Sequence, residues 1–475
     1  MKRHVAGGVV VILAVAVCAQ AQNPTSAANP FWGSVTAQPV AGEILKLSLD
    51  GAIERGLKSN LGLKEAENSQ KFLHGQRNEA LQNFLPTISL ASDTGYYMHN
   101  LAAMGFGTKV IEEFAPLFPG GKVPAGLSLI TRDDLTNGQL QYRQMLFSGP
   151  VIAAYKAAGA AERAASDNKN EARNEVVEQV AQAYLRAIAD QSHVENARAQ
   201  VTEAELLLAH EHAAHQAGTA ANLDELRARV QLEAQQQSLI AAENRQAKDL
   251  ILLKREIGVD PAQVMELTDP APFSELASET PEEARAGAYK NRPDFRALQN
   301  EAIELKAVHL AYRAQRLPSL SFGGYYQTST VNGAGTHGNF AAMGSINIPI
   351  FREARLRGDE DAAKAQVNAV NAQLDDMRGR IEQQVRAALL DVDASRKLVE
   401  VASSNVDLAR RALDDEIERV KAGVDDNLPL VTAQAALASA QSSLVESLYQ
   451  YNVAKLALAR ATGVLEQQYR TYLGR

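Results

Sequence analysis

The chain has 475 residues, 46% of them apolar and 22% charged, the balance of a folded protein, and at this length about three domains are expected. Aromatic residues make up only 5% and alanine is abundant, which points to long helices more than to a thick globular core. A net charge of −8 argues against nucleic acid as a partner.

The N-terminus reads MKRHVAGGVVVILAVAVCAQAQ. Lys2 and Arg3 precede an apolar run, Val9 to Val17, too short to span a bilayer, and Ala19-Gln20-Ala21 offers a small-x-small cleavage site. Residues 1–21 are therefore expected to be a secretory signal peptide. Cys18 is the single cysteine. Val17 precedes it, where a lipoprotein signal takes Gly, Ala or Ser, so cleavage after Ala21 is expected, with lipidation of Cys18 as the alternative. Residues 22–46 are polar and proline-containing and read as an extended arm that Trp32 pins. No later segment is apolar enough for a transmembrane helix. The protein is either soluble outside the cytoplasm or crosses a membrane as β-strands.

The rest is written twice. Residues 47–260 resemble residues 282–465, joined by a linker over 261–281 and followed by a tail over 466–475. Gly218, Asn222 and Leu223 recur 205 residues on as Gly423, Asn427 and Leu428, and Leu85-Pro86 recurs 232 residues on as Leu317-Pro318. The difference is an insertion in the first copy.

In chain order, a helix is predicted over Leu49–Asn83, with Asp50 in its first turn and Pro86 after its end. Two strands follow, Thr87–Met98 and Asn137–Phe147, separated by a Gly- and Pro-rich loop over 98–136. A helix of about 66 residues, Val151–Gln216, would span roughly 100 Å. Gly218 stops it, a turn occupies 217–222, and Asn222 is expected to cap the next helix, Leu223–Ile257. The second copy repeats this: helix Glu282–Arg316, strands Ser319–Ser329 and Phe340–Ile350, helix Arg352–Lys421, a turn over 422–427, helix Leu428–Thr462, with Pro429 tolerated in its first turn.

The long helices carry one apolar stripe each. Val176, Val177, Val180, Tyr184, Leu185 and Ile188 form a coiled-coil seam with small and polar flanks, so the other side can wall a water-filled space. The strands alternate. Ile88, Leu90, Thr94 and Tyr96 fall on one face and Thr87, Ser89, Ala91 and Asp93 on the other; Phe340, Ala342, Ile346, Ile348 and Ile350 oppose Ser345 and Asn347. Each strand is long enough to cross a bilayer when tilted, and Tyr96, Tyr97, Tyr325 and Tyr326 are expected near strand ends as an interfacial girdle. Four strands cannot close a membrane barrel, so spanning strands would have to be pooled from several chains; three chains give twelve.

The duplicated order of helix, strand, strand, long helix, glycine turn and helix resembles the TolC-type outer-membrane efflux proteins, the outer membrane factors. LSLDGAIERGLKSN, FLPTISL, FSGP, the two tip turns and IPIF carry the resemblance, which covers about Leu45 to Leu465. It implies a mainly α fold with a small β part. Duplicated helical hairpins would form a trimeric α-barrel in the periplasm, and four strands per chain would contribute to a shared twelve-stranded transmembrane β-barrel. It also implies an exit duct of a tripartite efflux pump or type I secretion system. Its partners would be the other copies of a homotrimer, a periplasmic adaptor, an inner-membrane transporter and outer-membrane lipid. Gly218, Asn222, Leu223, Asp224, Gly423, Asn427 and Leu428 would then sit at the periplasmic tips, as gate and adaptor-docking surface. The type member carries two aspartates inside the second hairpin where this chain has Pro429 and Thr432; here Asp425 and Asp426 stand in the turn instead. They form either an acidic constriction or a helix cap.

His210, His212 and His215 lie just before the first tip. His212 and His215 share a helix face and are weak metal candidates lacking an evident third ligand. No nucleophile–base pair, P-loop, dinucleotide-binding glycine motif or paired-cysteine site is present, so neither enzyme activity nor a cofactor is expected. The competing reading is a soluble periplasmic coiled-coil adaptor or scaffold. Adaptors need no alternating strands before each long helix, which favours the duct.

Overall fold

The structure, a computed structural model, describes residues 28–35, 42–101, 103, 108–124, 130–218, 221–270, 273–277, 279–331, 335–422 and 427–474. The expected signal peptide therefore lies outside the described residues. In chain order the elements are β1 (Leu45–Leu47), α1 (Leu49–Ser59), α2 (Leu61–Gln82), β2 (Thr87–Asn100), α3 (Thr108–Glu113), β3 (Ile130–Phe147), α4 (Gly149–Gln216), α5 (Asn222–Glu256), β4 (Met265–Leu267), α6 (Pro281–Asn291), α7 (Pro293–Ala314), β5 (Ser319–Val331), β6 (Gly335–Asn347), α8 (Glu353–Lys421), α9 (Asn427–Ala461) and α10 (Leu465–Tyr472).

The predicted first helix of each copy is two helices. α1 and α2 break at Asn60, α6 and α7 at Arg292, and these two residues are 232 apart, the offset of Leu85-Pro86 and Leu317-Pro318. Both have extended backbone, ψ 134° and 119°. At Arg292 the cause is Pro293, whose ring excludes a helical conformation in the residue before it. Asn60 achieves the same break through its side chain. Its Nδ2 donates to the Phe31 carbonyl at 2.6 Å and its Oδ1 accepts from the Leu63 amide at 3.3 Å, anchoring the arm across the joint. Trp32 does pin the arm, its Nε1 donating to Gln179 Oε1 at 3.2 Å.

The chain divides into two compact units, one comprising residues up to 67, 169–293 and 379–475, the other 68–168 and 294–378. In the first, the predicted stripe of α4 is the core. Val176, Val177, Val180 and Tyr184 are fully buried, as are Leu49 and Ala52 of α1 and Leu456 and Ala459 of α9. β1 and β4 pair in parallel, Leu45 opposite Met265. The expected tail is an ordered helix: α10 buries Leu465, Tyr469 and Tyr472, Tyr469 Oη donates to Asp50 Oδ1 at 2.7 Å, and Arg173 grips both Glu466 oxygens. Asp50 thus holds α10 as well as sitting in the first turn of α1, whose cap is Ser48. Gly463, just after α9, has φ +77°, and a Cβ there would come within 2.6 Å of the Arg292 amide nitrogen, so conformation and space both require glycine.

The second unit holds one antiparallel sheet, ordered β2-β3-β5-β6. The loop between β2 and β3 is shorter than 98–136, because β3 begins at Ile130 and pairs with β2 to its last residue, Asn100. β6 begins and ends earlier than expected, and Ile348 and Ile350 fall beyond it. Ion pairs tie the helices below the sheet: Arg77 to Glu162 at 2.8 Å, Arg316 to Glu360 at 2.8 Å and Arg296 to Asp167 at 3.1 Å.

Candidate functional site

Two features stand out: the sheet, and the turn-ended hairpins α4–α5 and α8–α9.

The register sorts the sheet into two faces of opposite character. On one, Leu90, Leu140, Tyr326 and Phe340 lie in a row across all four strands, and Ile88, Tyr142, Gly324 and Ala342 form the next. These apolar groups are largely uncovered within the chain; Leu90 is 78% and Phe340 79% exposed. Further along the same face comes a threonine row, Thr94, Thr136, Thr330 and Thr336, hydrogen-bonded in pairs at 2.9 and 2.8 Å. From the Leu320–Ile346 pair to this row, ten residues along β5, the face carries no charge. Ten residues span about 33 Å along a strand, or about 25 Å of height at a tilt near 40°.

The opposite face is polar. Asn137 is its centre, donating to Asp93 Oδ2 at 3.0 Å and accepting from Ser329 at 2.9 Å and Gln327 at 3.2 Å. Gln139, Gln141 and Asn339 line it further. Tyr325 and Tyr326 are not near a strand end. They sit mid-β5, one on each face, because β5 extends to Val331. β2 and β6 are the edges, each with one side unpaired among the described residues.

At the first tip, Gly218 has φ +77° with open space around it, and its amide donates to the His215 carbonyl at 3.0 Å. Asn222 does not cap α5. The N-cap is Ala221, without a side-chain bond, and Asn222 is the first helical residue. The turn closes one residue earlier than the sequence suggests, and the acids Asp224 and Glu225 meet the helix dipole instead. His212 is taken up by Glu225 at 3.0 Å and Gln216 at 2.9 Å, and the His212 bond is the main cause that holds the Glu225 carboxyl below its usual range. No group of three or more His, Cys, Asp or Glu among the described residues is arranged to hold a metal. Leu223 and Val230 are exposed, 54% and 68%.

The second tip starts α9 at Asn427, with Leu428 next; Gly423, Asp425 and Asp426 lie outside the described residues. The two hairpins share a core: Leu207 and Ala228 of the first pack with Val406, Leu413, Leu430 and Leu437 of the second. Sequence reasoning missed three buried acids on the first hairpin, Asp190, Glu211 and Glu256, at 2%, 1% and 2% exposure, each with one oxygen lacking a partner among the described residues. Burial pushes the Glu256 carboxyl up to about 8. Burial and the neighbouring Asp249 push Asp190 up to about 7. Their signal in the sequence is an acid on an otherwise apolar stripe.

The comparisons agree with this architecture. A model of the outer membrane efflux protein family matches residues 52–259 and 286–464. The outer membrane efflux protein BepC of Brucella suis is 26% identical over 237 residues, 49% of this chain and 52% of BepC, so the chain is matched over about half the length of that relative. The pyoverdine export outer membrane protein OpmQ of Pseudomonas aeruginosa is 25% identical over 72% of this chain and 73% of its own. The open-state crystal structure of the Neisseria gonorrhoeae MtrE outer membrane channel shares the fold, with a TM-score of 0.71 at 20% identity over 91% of this chain and 95% of that one. With a family match over most of its length and a sheet built with one lipid-compatible face, this chain belongs to the outer membrane efflux protein family and is a protein of the outer membrane.

Proposed function

We propose that the protein is the outer-membrane exit duct of a tripartite efflux pump or type I secretion system, working as a homotrimer. The observation that carries this is a four-stranded sheet, apolar on one face and polar on the other, with both edges unpaired among the described residues. An open edge is not tolerated in hydrocarbon, and four strands cannot close on themselves. β2 and β6 run in opposite directions, so β6 of one copy can continue antiparallel into β2 of the next, and three copies supply twelve strands. The apolar rows would face lipid and the Asn137 face the lumen. The uncharged band of about 25 Å supports this reading.

In that assembly α4 and α8, 68 and 69 residues long, would each extend about 100 Å toward the periplasm. The hairpin turns would form the tip ring. Gly218, Asn222, Leu223, Asp224, Gly423, Asn427 and Leu428 would meet a periplasmic adaptor coupled to an inner-membrane transporter, with Leu223 offering exposed apolar surface. Asp425 and Asp426 would give the ring negative charge. The protein conducts and carries out no chemistry of its own.

The test is conductance of the detergent-purified protein in planar bilayers at low salt, with and without the double change Asp425→Ala/Asp426→Ala. Discrete channels whose cation preference falls in the double variant are the expected result. An unchanged preference removes the acidic ring and leaves the duct. A well-folded sample that never inserts, or a protein released from membranes by carbonate, overturns the duct.

A further inference from the structure

The polar face of the sheet is not uniform in charge. The residues that share it across the register are Thr87, Ser89, Ala91, Asp93, Gly95, Tyr97 and His99 of β2 and Thr131 to Met145, alternately, of β3. On β5 they are Ser319 to Val331 and on β6 Gly335 to Asn347, again alternately. Arg143 is the single arginine or lysine among them; of the acids, Asp93 stands in the Asn137 row itself and Asp133 lies beyond it, farther from Arg143. Asn137, partner of Asp93, is six residues from Arg143 along β3, about 20 Å.

Arg143 is exposed and enters no ion pair among the described residues. Its cross-strand neighbours are Thr87 and Gly323, so one flank offers only a hydroxyl and the other no side chain at all. Its neighbours along β3 on this face are Gln141 and Met145. It borders an open cavity of about 390 Å³ at the foot of the sheet, whose wall also includes Gln82, Asn83, Ser321 and Ser345. Every polar partner there is neutral. A guanidinium with five donors and no ion-paired carboxylate among the described residues is a standing positive charge that a passing anion meets first.

We propose that Arg143 sets the charge preference of the strand channel at its foot, drawing anions into the lumen. This rests on the duct reading, because only a closed barrel turns the polar face into a lumen. In that barrel three Arg143 side chains ring the foot, while Asp93 rings the middle and Asp133 the far half. A low-dielectric wall focuses the field of such a ring and raises the local concentration of the opposite charge.

The experiment is the reversal potential of the purified full-length protein in planar bilayers across a KCl gradient at low ionic strength, where screening is weakest. The variants are Arg143→Gln, Arg143→Glu and, as a control, Arg132→Gln, an arginine on the apolar face beyond the threonine row. Arg143→Gln is expected to raise the potassium-to-chloride permeability ratio, Arg143→Glu to raise it by about threefold or more, and Arg132→Gln to leave it unchanged. The direction is opposite to that of the Asp425/Asp426 double change. Conducting Arg143 variants with the parental ratio, or an equal shift from Arg132→Gln, overturn the proposal and leave the duct intact. Absence of conductance in the folded parent overturns the duct and this proposal together.

Discussion

Asp190 is an acid whose surroundings favour its neutral form. It is buried on α4, and Asp249 of α5 faces it, while Arg186 and Arg245 give only partial relief. Arg186 itself is shared, 3.8 Å from Asp249 and 3.5 Å from Glu446. A carboxyl raised from its ordinary value to about 7 binds a proton in the folded state where the unfolded chain has released it. Between about pH 4 and 7 the folded form therefore holds more protons, and stability falls as pH rises through that window. Asp190→Asn keeps the shape, offers Nδ2 to Asp249 and removes the titration. Its melting temperature should exceed the parent's at pH 8, by the equivalent of roughly 2 kcal/mol, and match it near pH 4. Thermal melts at the two pH values check this; an equal effect at both would show that the acid is not neutral in the fold.

Among the elements, the start of α1 depends on a residue far away in sequence. Asp269, two residues past β4, accepts from the Leu49 amide at 2.7 Å and from Tyr184 Oη at 2.9 Å, and Thr268 closes onto the Leu47 carbonyl. One carboxylate thus completes a helix end and shares, with the Leu47 carbonyl, the hydroxyl of a fully buried tyrosine on α4. Asp269→Ala should cost about 1–2 kcal/mol, because it strands the Leu49 amide and leaves Tyr184 Oη the Leu47 carbonyl at 2.9 Å, while Asp269→Asn keeps the acceptor and should recover most of that. Chemical denaturation of the two variants measures it. This clamp was not legible in the sequence: it joins residues 220 apart through a linker with no repeat partner. The long helices and the duplication were legible, since their period and their glycines are written locally. Gly218 met the left-handed turn expected of it, whereas Asn222 did not cap. The joint at Arg292 was readable from Pro293, but Asn60 breaks its helix only because the Phe31 carbonyl waits beside it. Register is the other thing alternation withholds. A strand's two faces can be named from sequence, yet that Arg143 lies between Thr87 and Gly323 needs the partners.

At the scale of the whole molecule, the proposed pairing of β2 and β6 between copies would have a genetic consequence. In the proposed trimer, a chain whose sheet is finished by its neighbours could not keep a defect to itself. Phe340→Asp places a charge in the apolar row of an edge strand, where in the proposed barrel a charge facing lipid would cost a few kcal/mol. Co-expressed equally with the parent, such a copy would enter most assemblies, leaving about one trimer in eight wholly parental if mixing is random. Counting active channels, with co-purification of a tagged variant to verify mixing, should therefore give a fraction well below one half. A yield of one half from verified mixtures would mean that each sheet is self-sufficient. The lesion would be dominant, inherited through the company a subunit keeps more than through the number of good copies made.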